Sequence, residues 1–265
     1  MKVYVAVDME GIAGIITPEQ LRVGEPFYQE GRKLLTEEVN AVVDGLLEAG
    51  AEHIIVRDIH ATGFNFLIDQ LHPGAMYYMG SSPIQERFPG IDSSFDAALL
   101  IGYHGMAGTE RATRDHTFSS ATIASMELNG KPIGEIGVDA LLLGGYGVPV
   151  VLVSGDDKTC IEAKQELGQV TVYETKKSWG RHGALMKPPR QVRQELKEAI
   201  QQALSDMSNY KPYAKPGPFE MKVTYMSTDL ADRRYCDGVH SERVDGRTVI
   251  YRADDFLTLF CLVFS

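Results

Sequence analysis

Asp8 and Glu10 stand two residues apart in VAVDMEG, directly after an apolar run. If extended backbone continues through them, both carboxylates point the same way. Two acids held side by side repel and raise each other's pKa unless a cation lies between them. Alone, such a pair reads as a solvated loop. Two histidines alter that reading, because His60 closes the run VRDIH and His104 closes AALLIGYH. If these runs are strands of one parallel sheet, their carboxyl ends share the edge where α/β sheets bind ligands. Glu135 lies between Gly134 and Gly137, where backbone can approach a site closely. Mixed carboxylate and imidazole donors suit Zn²⁺, Mn²⁺, Co²⁺ or Fe²⁺ better than Mg²⁺. Five candidate ligands exceed what one tetrahedral zinc needs. A two-metal site with ions about 3.5 Å apart, Asp8 bridging, would use all five. The chemistry this implies is metal-dependent hydrolysis.

His116, in RDHTFSS, is the candidate general base or nucleophile beside such metals. Ser119 and Ser120 are alternatives with no visible activating partner. Asp58, by strand alternation, points the same way as His60 and could orient its imidazole; equally, it could pair Arg57 or Arg114, and Asp115 is a further nearby acid. Asp156 and Asp157 read as a helix N-terminal cap and charge. His53, His72, His182 and His240 have no chemical context and read as structural or surface residues. No Gly-x-Gly-x-x-Gly follows a strand and no Gly-Lys-Ser/Thr occurs, which weighs against dinucleotide or ATP chemistry.

The elements that must position these residues begin with an apolar strand over 2–7. A helix follows, with Thr36 as its expected N-cap, an apolar stripe at Val39, Val42, Val43, Leu46 and Leu47, and Gly50 as its stop. A second strand is expected over 53–59. Strand, helix, strand within this span is a βαβ unit and implies a parallel sheet. Short or buried strands are expected over 76–79, 97–103 and 148–153. Residues 121–133 read as a hairpin turning at Asn129-Gly130. Helices are expected over 134–143, from about Thr159, and after Pro188-Pro189. Residues 170–173 read as a short strand, 210–218 as a Pro-rich linker, and 220–226 and 248–251 as strands; Asp254 is the expected cap of a terminal apolar helix. The fold class is therefore α/β, a parallel-rich sheet flanked by helices, with a smaller α+β C-terminal part. The division is 1–210 for the metal-binding catalytic domain and 211–265 for the tail, which can pack as part of the same domain.

Of 265 residues, 26 are Lys or Arg and 36 are Asp or Glu, a net charge of −10. An acidic surface without basic runs argues against nucleic-acid and anionic-membrane binding. The apolar run 256–264 is too short to span a bilayer. The N-terminal apolar run is too short for a secretory signal. Cys160, Cys236 and Cys261 match no zinc or redox spacing and read as thiols in a reducing cytosol. The expected localisation is cytoplasmic.

The segments VDMEGIAG at the start, IH at 59–60, GYH at 102–104, HTFSS at 116–120, IGEIG at 133–137 and VSGDD at 153–157 resemble, in order and spacing, the D-aminopeptidase family found in bacterial dipeptide-transport operons. The resemblance is specific over about 150 residues and looser in the tail, especially over 229–247. It implies a two-zinc metallopeptidase acting on short peptides. By the resemblance, Asp8 bridges both zinc ions, Glu10 and His60 complete one site, and His104 and Glu135 complete the other. His116 falls on the family's histidine proposed as nucleophile or base. The resemblance also implies a homodecamer of two stacked five-subunit rings, with active sites facing an inner channel. Competing readings are a metal-dependent hydrolase of another amide or ester bond, an L-specific aminopeptidase, and a non-catalytic peptide-binding module.

Overall fold

The computed structural model describes residues 1–265. Along the chain run β1 (Lys2–Val7), α1 (Tyr28–Glu48), β2 (His53–Asp58), β3 (Met76–Tyr78), β4 (Ala97–Tyr103), β5 (Ile123–Leu128), β6 (Lys131–Pro132), α2 (Glu135–Gly145), β7 (Val150–Asp156), α3 (Asp157–Leu167), β8 (Thr171–Gly180), β9 (Gly183–Met186), α4 (Pro189–Ser205), β10 (Phe219–Tyr225), α5 (Thr228–Asp232), β11 (Ser241–Arg243), β12 (Thr248–Ala253) and α6 (Phe256–Phe264). A seven-stranded sheet has the order β3-β2-β1-β4-β7-β8-β9, and a five-stranded sheet the order β11-β12-β10-β5-β6. In the first, all neighbours pair parallel except β9, which returns antiparallel to β8. The second is antiparallel throughout. The α/β expectation with a parallel-rich sheet is met.

Strand periodicity divides the core. On β1, Val3, Val5 and Val7 pack with Leu35, Val39, Val42 and Leu46 of α1 and with Val192, Leu196 and Ile200 of α4. Tyr4 and Ala6, on the other face, join a cluster that also holds α2, β5, β10, β12 and α6. Both faces of β1 are buried, which is why the strand reads as a continuous apolar run. The tail beyond residue 210 shares this second cluster. Its strand β10 pairs with β5, so residues 123–132 and 219–253 complete one sheet.

Several elements differ from expectation. Thr36 is not an N-cap but lies inside α1, where its hydroxyl donates to the Arg32 carbonyl and accepts from the Leu67 N–H. The helix starts nine residues earlier, after Phe27, because tertiary contacts hold a polar first turn: the Tyr28 hydroxyl reaches Asn65, and Arg32 donates to the Asn65 and Phe66 carbonyls. Strand β8 extends to Gly180 instead of ending near 173. Its inward residues Thr175, Lys176 and Ser178 are buried but polar, so no apolar alternation marks them. The cap of α6 is Asp255, which accepts from the Thr258 N–H, one residue beyond Asp254. The hairpin turn at Asn129-Gly130, both at positive φ, is as expected.

The site depends on how tightly the chain after β1 lies against the end of β4. Asp8 N–H donates to the Ile101 carbonyl and Gly11 N–H to the Gly102 carbonyl. A Cβ at Gly11 would meet the Tyr103 carbonyl oxygen, and one at Gly102 the Asp8 carbonyl oxygen. Gly102 also has φ +70°, where side chains are strained. The left-handed backbone alone costs a substituted residue about 1–3 kcal/mol, and the Asp8 contact adds to it. Gly102→Ala should lower stability by at least that amount in chemical denaturation and weaken metal retention; an unchanged unfolding midpoint would contradict this packing.

Candidate metal centre

Strands β2, β1 and β4 are neighbours, so their carboxyl ends lie side by side. Asp8 follows β1, His60 comes two residues after β2, and His104 follows β4 directly. Glu135 opens α2. His116 lies on the loop between β4 and β5, with Phe118 of that loop packed against Phe264 of α6. Strand β1 ends at Val7, so the acids do not converge by simple alternation. The chain turns, with Ile12 N–H donating to the Met9 carbonyl, and the turn brings both carboxylates inward.

All six residues singled out in the sequence meet. Asp8 Oδ1 is 3.1 Å from His60 Nδ1, and Asp8 Oδ2 is 3.3 Å from His104 Nε2. Glu10 Oε2 lies 3.2 Å from His60 Nδ1 and Glu135 Oε1 3.3 Å from His104 Nε2. His116 Nε2 stands 4.0 Å from Glu10 Oε1 and 3.9 Å from Glu135 Oε1. Its ring stacks on that of His104, with centroids 3.9 Å apart. The two oxygens of Asp8 thus face different imidazoles, each accompanied by its own glutamate.

The protonation pattern of the rings follows from their outer contacts. His60 Nε2 meets the Leu21 carbonyl at 3.1 Å, His104 Nδ1 the Gly105 carbonyl at 3.1 Å, and His116 Nδ1 the Arg114 carbonyl at 2.9 Å. A carbonyl oxygen only accepts, so each outer nitrogen carries the hydrogen, and the neutral ring aims a lone pair inward. Three inward lone pairs therefore face three inward carboxylates. Glu10 Oε2 and His104 Nε2 are sealed from solvent without a hydrogen-bond partner. Such a donor set needs cations at its centre, and its mixture of nitrogen and oxygen fits zinc. Two overlapping triads, Asp8–Glu10–His104 and His104–His116–Glu135, have ligand atoms within 4.8 Å of one another.

Protons fill the same electrostatic role in the absence of metal. Burial alone would lower the pKa of His60 and His104, but Glu10 and Asp8 outweigh it at His60, and Glu135 and Asp8 at His104; both are raised well above the ordinary value. Burial would raise Asp8, Glu10 and Glu135, yet the imidazoles hold all three below the usual carboxylate range.

Other expectations resolve differently. Asp58 does not orient the His60 ring and does not pair Arg57 or Arg114. Its carboxylate accepts from the main-chain N–H of His60 and from the main chain and amide of Asn65, fixing the loop and not the imidazole. Asp115 binds Arg181 and the Gly108 N–H. Asp156 is the cap of α3, as expected, and also accepts from the Thr113 N–H. Ser119 and Ser120 line the cavity without an activating partner.

Three buried charged groups had no sequence signal. Lys176 Nζ donates to the carbonyls of Glu10, Ile12 and Ile15, pinning the turn that carries the first two acids. Glu38 accepts from Ala13 N–H in the same turn. Glu162 accepts from Met106 N–H, and a Cβ on Gly134 would strike its other oxygen. Its Oε1 packs against Gly134, before the helix bearing Glu135, without a hydrogen-bond partner. Burial marks these groups, and burial of a lone charged residue on an amphipathic element cannot be read from residue types.

Comparisons with known proteins identify a family and a fold. The peptidase M55 family model, described as D-aminopeptidase, matches residues 1–264. A D-aminopeptidase of Bacillus subtilis (strain 168) is 28% identical over 260 residues, covering 98% of this chain and 94% of its own length. The solved structure of the Zn-dependent D-aminopeptidase DppA from Bacillus subtilis, a self-compartmentalizing protease, is similar with a TM-score of 0.94 at 28% identity, over 100% of this chain and 96% of that one.

Two outcomes are expected. Zinc uptake by metal-free protein at neutral pH should release about two protons per subunit, from His60 and His104, and affinity should fall as the pH is lowered. Calorimetry in two buffers of different ionisation enthalpy measures this; zero release would contradict the donor arrangement. Burial also raises the carboxyl of Glu162 to about 7, against the opposing Met106 N–H. Its folded pKa lies above the unfolded one, so folding favours the neutral form and stability is lost as pH rises from about 4 to about 7. Glu162→Gln should raise stability at pH 8 by about 2 kcal/mol relative to its effect at pH 5, as read from urea midpoints at the two pH values.

Proposed function

Because the chain belongs to the peptidase M55 family of D-aminopeptidases, we propose that it is a dinuclear zinc enzyme that removes N-terminal D-amino acids from short peptides. It is a metallo-aminopeptidase. The observation carrying the two-metal reading is Asp8, whose two oxygens face separate imidazoles, each beside its own glutamate. In this reading Asp8, Glu10 and His60 hold one ion, and Asp8, His104 and Glu135 hold the other. The zinc-dependent homologue supports the choice of metal; manganese and cobalt suit the same donors.

Zinc at such a centre supplies Lewis acidity, polarising a carbonyl and lowering the pKa of water. The chain's own residues do the rest. The centre opens on a cavity of about 370 Å³, which suits a small ligand. His116 opens on that cavity, and its Nδ1–H is held by the Arg114 carbonyl. Nε2 is therefore the working nitrogen. It takes a proton from the attacking group and returns it to the leaving amine. The stacked ring of His104 keeps the imidazole in plane for both transfers.

DppA of Bacillus subtilis is a self-compartmentalizing protease, and we extend that to a decamer of two five-subunit rings here. Large exposed apolar residues, Trp179, Leu185, Tyr235 and Val239, offer surface for subunit contacts. No helix is long and apolar enough to cross a membrane. All three cysteines are free, which supports a place in the reducing cytoplasm. Light scattering should give a mass near that of ten chains of 29.2 kDa.

Glu10→Ala should lose zinc and lower turnover of D-alanyl substrates by more than about 1,000-fold, whereas His116→Ala should keep its zinc and lose roughly 100- to 10,000-fold in kcat. Metal analysis alongside paired D- and L-aminoacyl substrates decides both the roles and the stereochemistry; full activity in either variant would overturn the assignment.

A further inference from the structure

The same cavity holds a cation that the chemistry above does not use. Arg114 is only 8% exposed, and it lines the cavity with Asp8, Glu10, His116 and Glu135. Its Nε is sealed from solvent with no hydrogen-bond partner. No carboxylate lies within ion-pair distance of its guanidinium, and no carbonyl accepts from it, although the chain carries 36 acids against 26 bases. Sealing a guanidinium nitrogen without a partner is costly, and the two terminal nitrogens, which are not sealed, are left free to meet a ligand. Burial here disfavours the charge, and Arg181 and Arg22 repel it, with Glu10 the main opposing attraction.

The chain holds Arg114 in this position. Its chain neighbour Asp115 is turned to Arg181 and the Gly108 N–H, so that acid is taken. Arg114 N–H donates to the Arg181 carbonyl, and its own carbonyl holds His116. Its φ of +57° is left-handed, unusual for a residue with a long side chain. Thr113 before it is anchored by Asp156 and Ser178. Arg22, exposed and also without an ion pair, lines the same cavity.

We propose that Arg114, assisted by Arg22, is the receptor for the free C-terminal carboxylate of a dipeptide substrate. This rests on the aminopeptidase reading above and adds the substrate class. The cavity then has two poles. The metal centre held by Asp8, Glu10 and Glu135 lies toward the amino end, and the two guanidiniums lining the same cavity take the carboxylate end. A zwitterionic dipeptide spans them with its single peptide bond between, beside His116. Guanidinium is the group that matches a carboxylate with two parallel hydrogen bonds. Longer peptides carry their carboxylate past the arginines, so dipeptides are preferred.

The test compares D-alanylglycine with D-alanylglycinamide, which lacks the charge. The zinc-loaded full chain should favour the acid in kcat/KM by roughly 10- to 100-fold, as a charged hydrogen-bonded pair provides. Arg114→Met should bring the acid down to the level of the amide and leave the amide within about 3-fold of its original value. Arg114→Lys should retain an intermediate preference. A melting transition establishes that each variant is folded. Calorimetric titration of the metal-free protein, which does not turn over, with both peptides gives a readout independent of activity: the acid should bind more tightly, and Arg114→Met should abolish the difference. Equal loss on both substrates in Arg114→Met, or no preference for the acid in the unmodified protein by either measurement, overturns the carboxylate site. Absence of turnover on both peptides with a retained calorimetric preference overturns the aminopeptidase reading and leaves the carboxylate site standing.

Discussion

Three carboxylates held within a few ångströms of one another repel, and much of this molecule answers that repulsion. Asp8, Glu10 and Glu135 come from two elements whose ends would separate if nothing restrained them. Lys176 restrains the first element by binding three carbonyls of one turn. Glu162 restrains the loop after His104 by accepting from the Met106 N–H. The parallel sheet supplies the common edge, and the glycines at 11 and 102 let two stretches of backbone lie closer than any side chain would permit. The imidazoles then separate the acids, and the centre is balanced only when cations or protons enter it.

The candidate cluster was legible because its logic is topological. An apolar run that stops at a charged or imidazole residue marks a strand end, and parallel strand ends share an edge. Asp8, His60 and His104 follow from that rule, and Glu135 from its glycine surroundings. The element pattern was legible for the same reason wherever burial was apolar, as in β1 and β4. It was not legible where burial is polar. The second half of β8 carries Thr175, Lys176 and Ser178 inward because they hold the loops around the site, so the strand extends beyond its apolar signal. The pairing of β5 with β10 joins segments nearly a hundred residues apart, and no local feature announces it.

Asp58 illustrates a subtler failure. Alternation correctly gave its direction, toward the loop that carries His60, yet its partners are main-chain and amide N–H groups. Direction along a strand says which side a carboxylate serves and not which donor reaches it first. The same ambiguity hid Arg114: residue types around it suggested a pair with Asp58, and the structure gives that acid to other donors.

The three imidazoles share a property with consequences over evolutionary time. Each has its outer nitrogen on a main-chain carbonyl, that of Leu21, Gly105 or Arg114. Mutation replaces side chains and leaves the carbonyl in place. Residues around the centre are therefore free to drift so long as the backbone path is kept, and selection for the rings' orientation falls on fold geometry more than on the identity of the adjacent residues. A relative at 28% identity that retains the fold with a TM-score of 0.94 is what such a mutationally buffered centre allows.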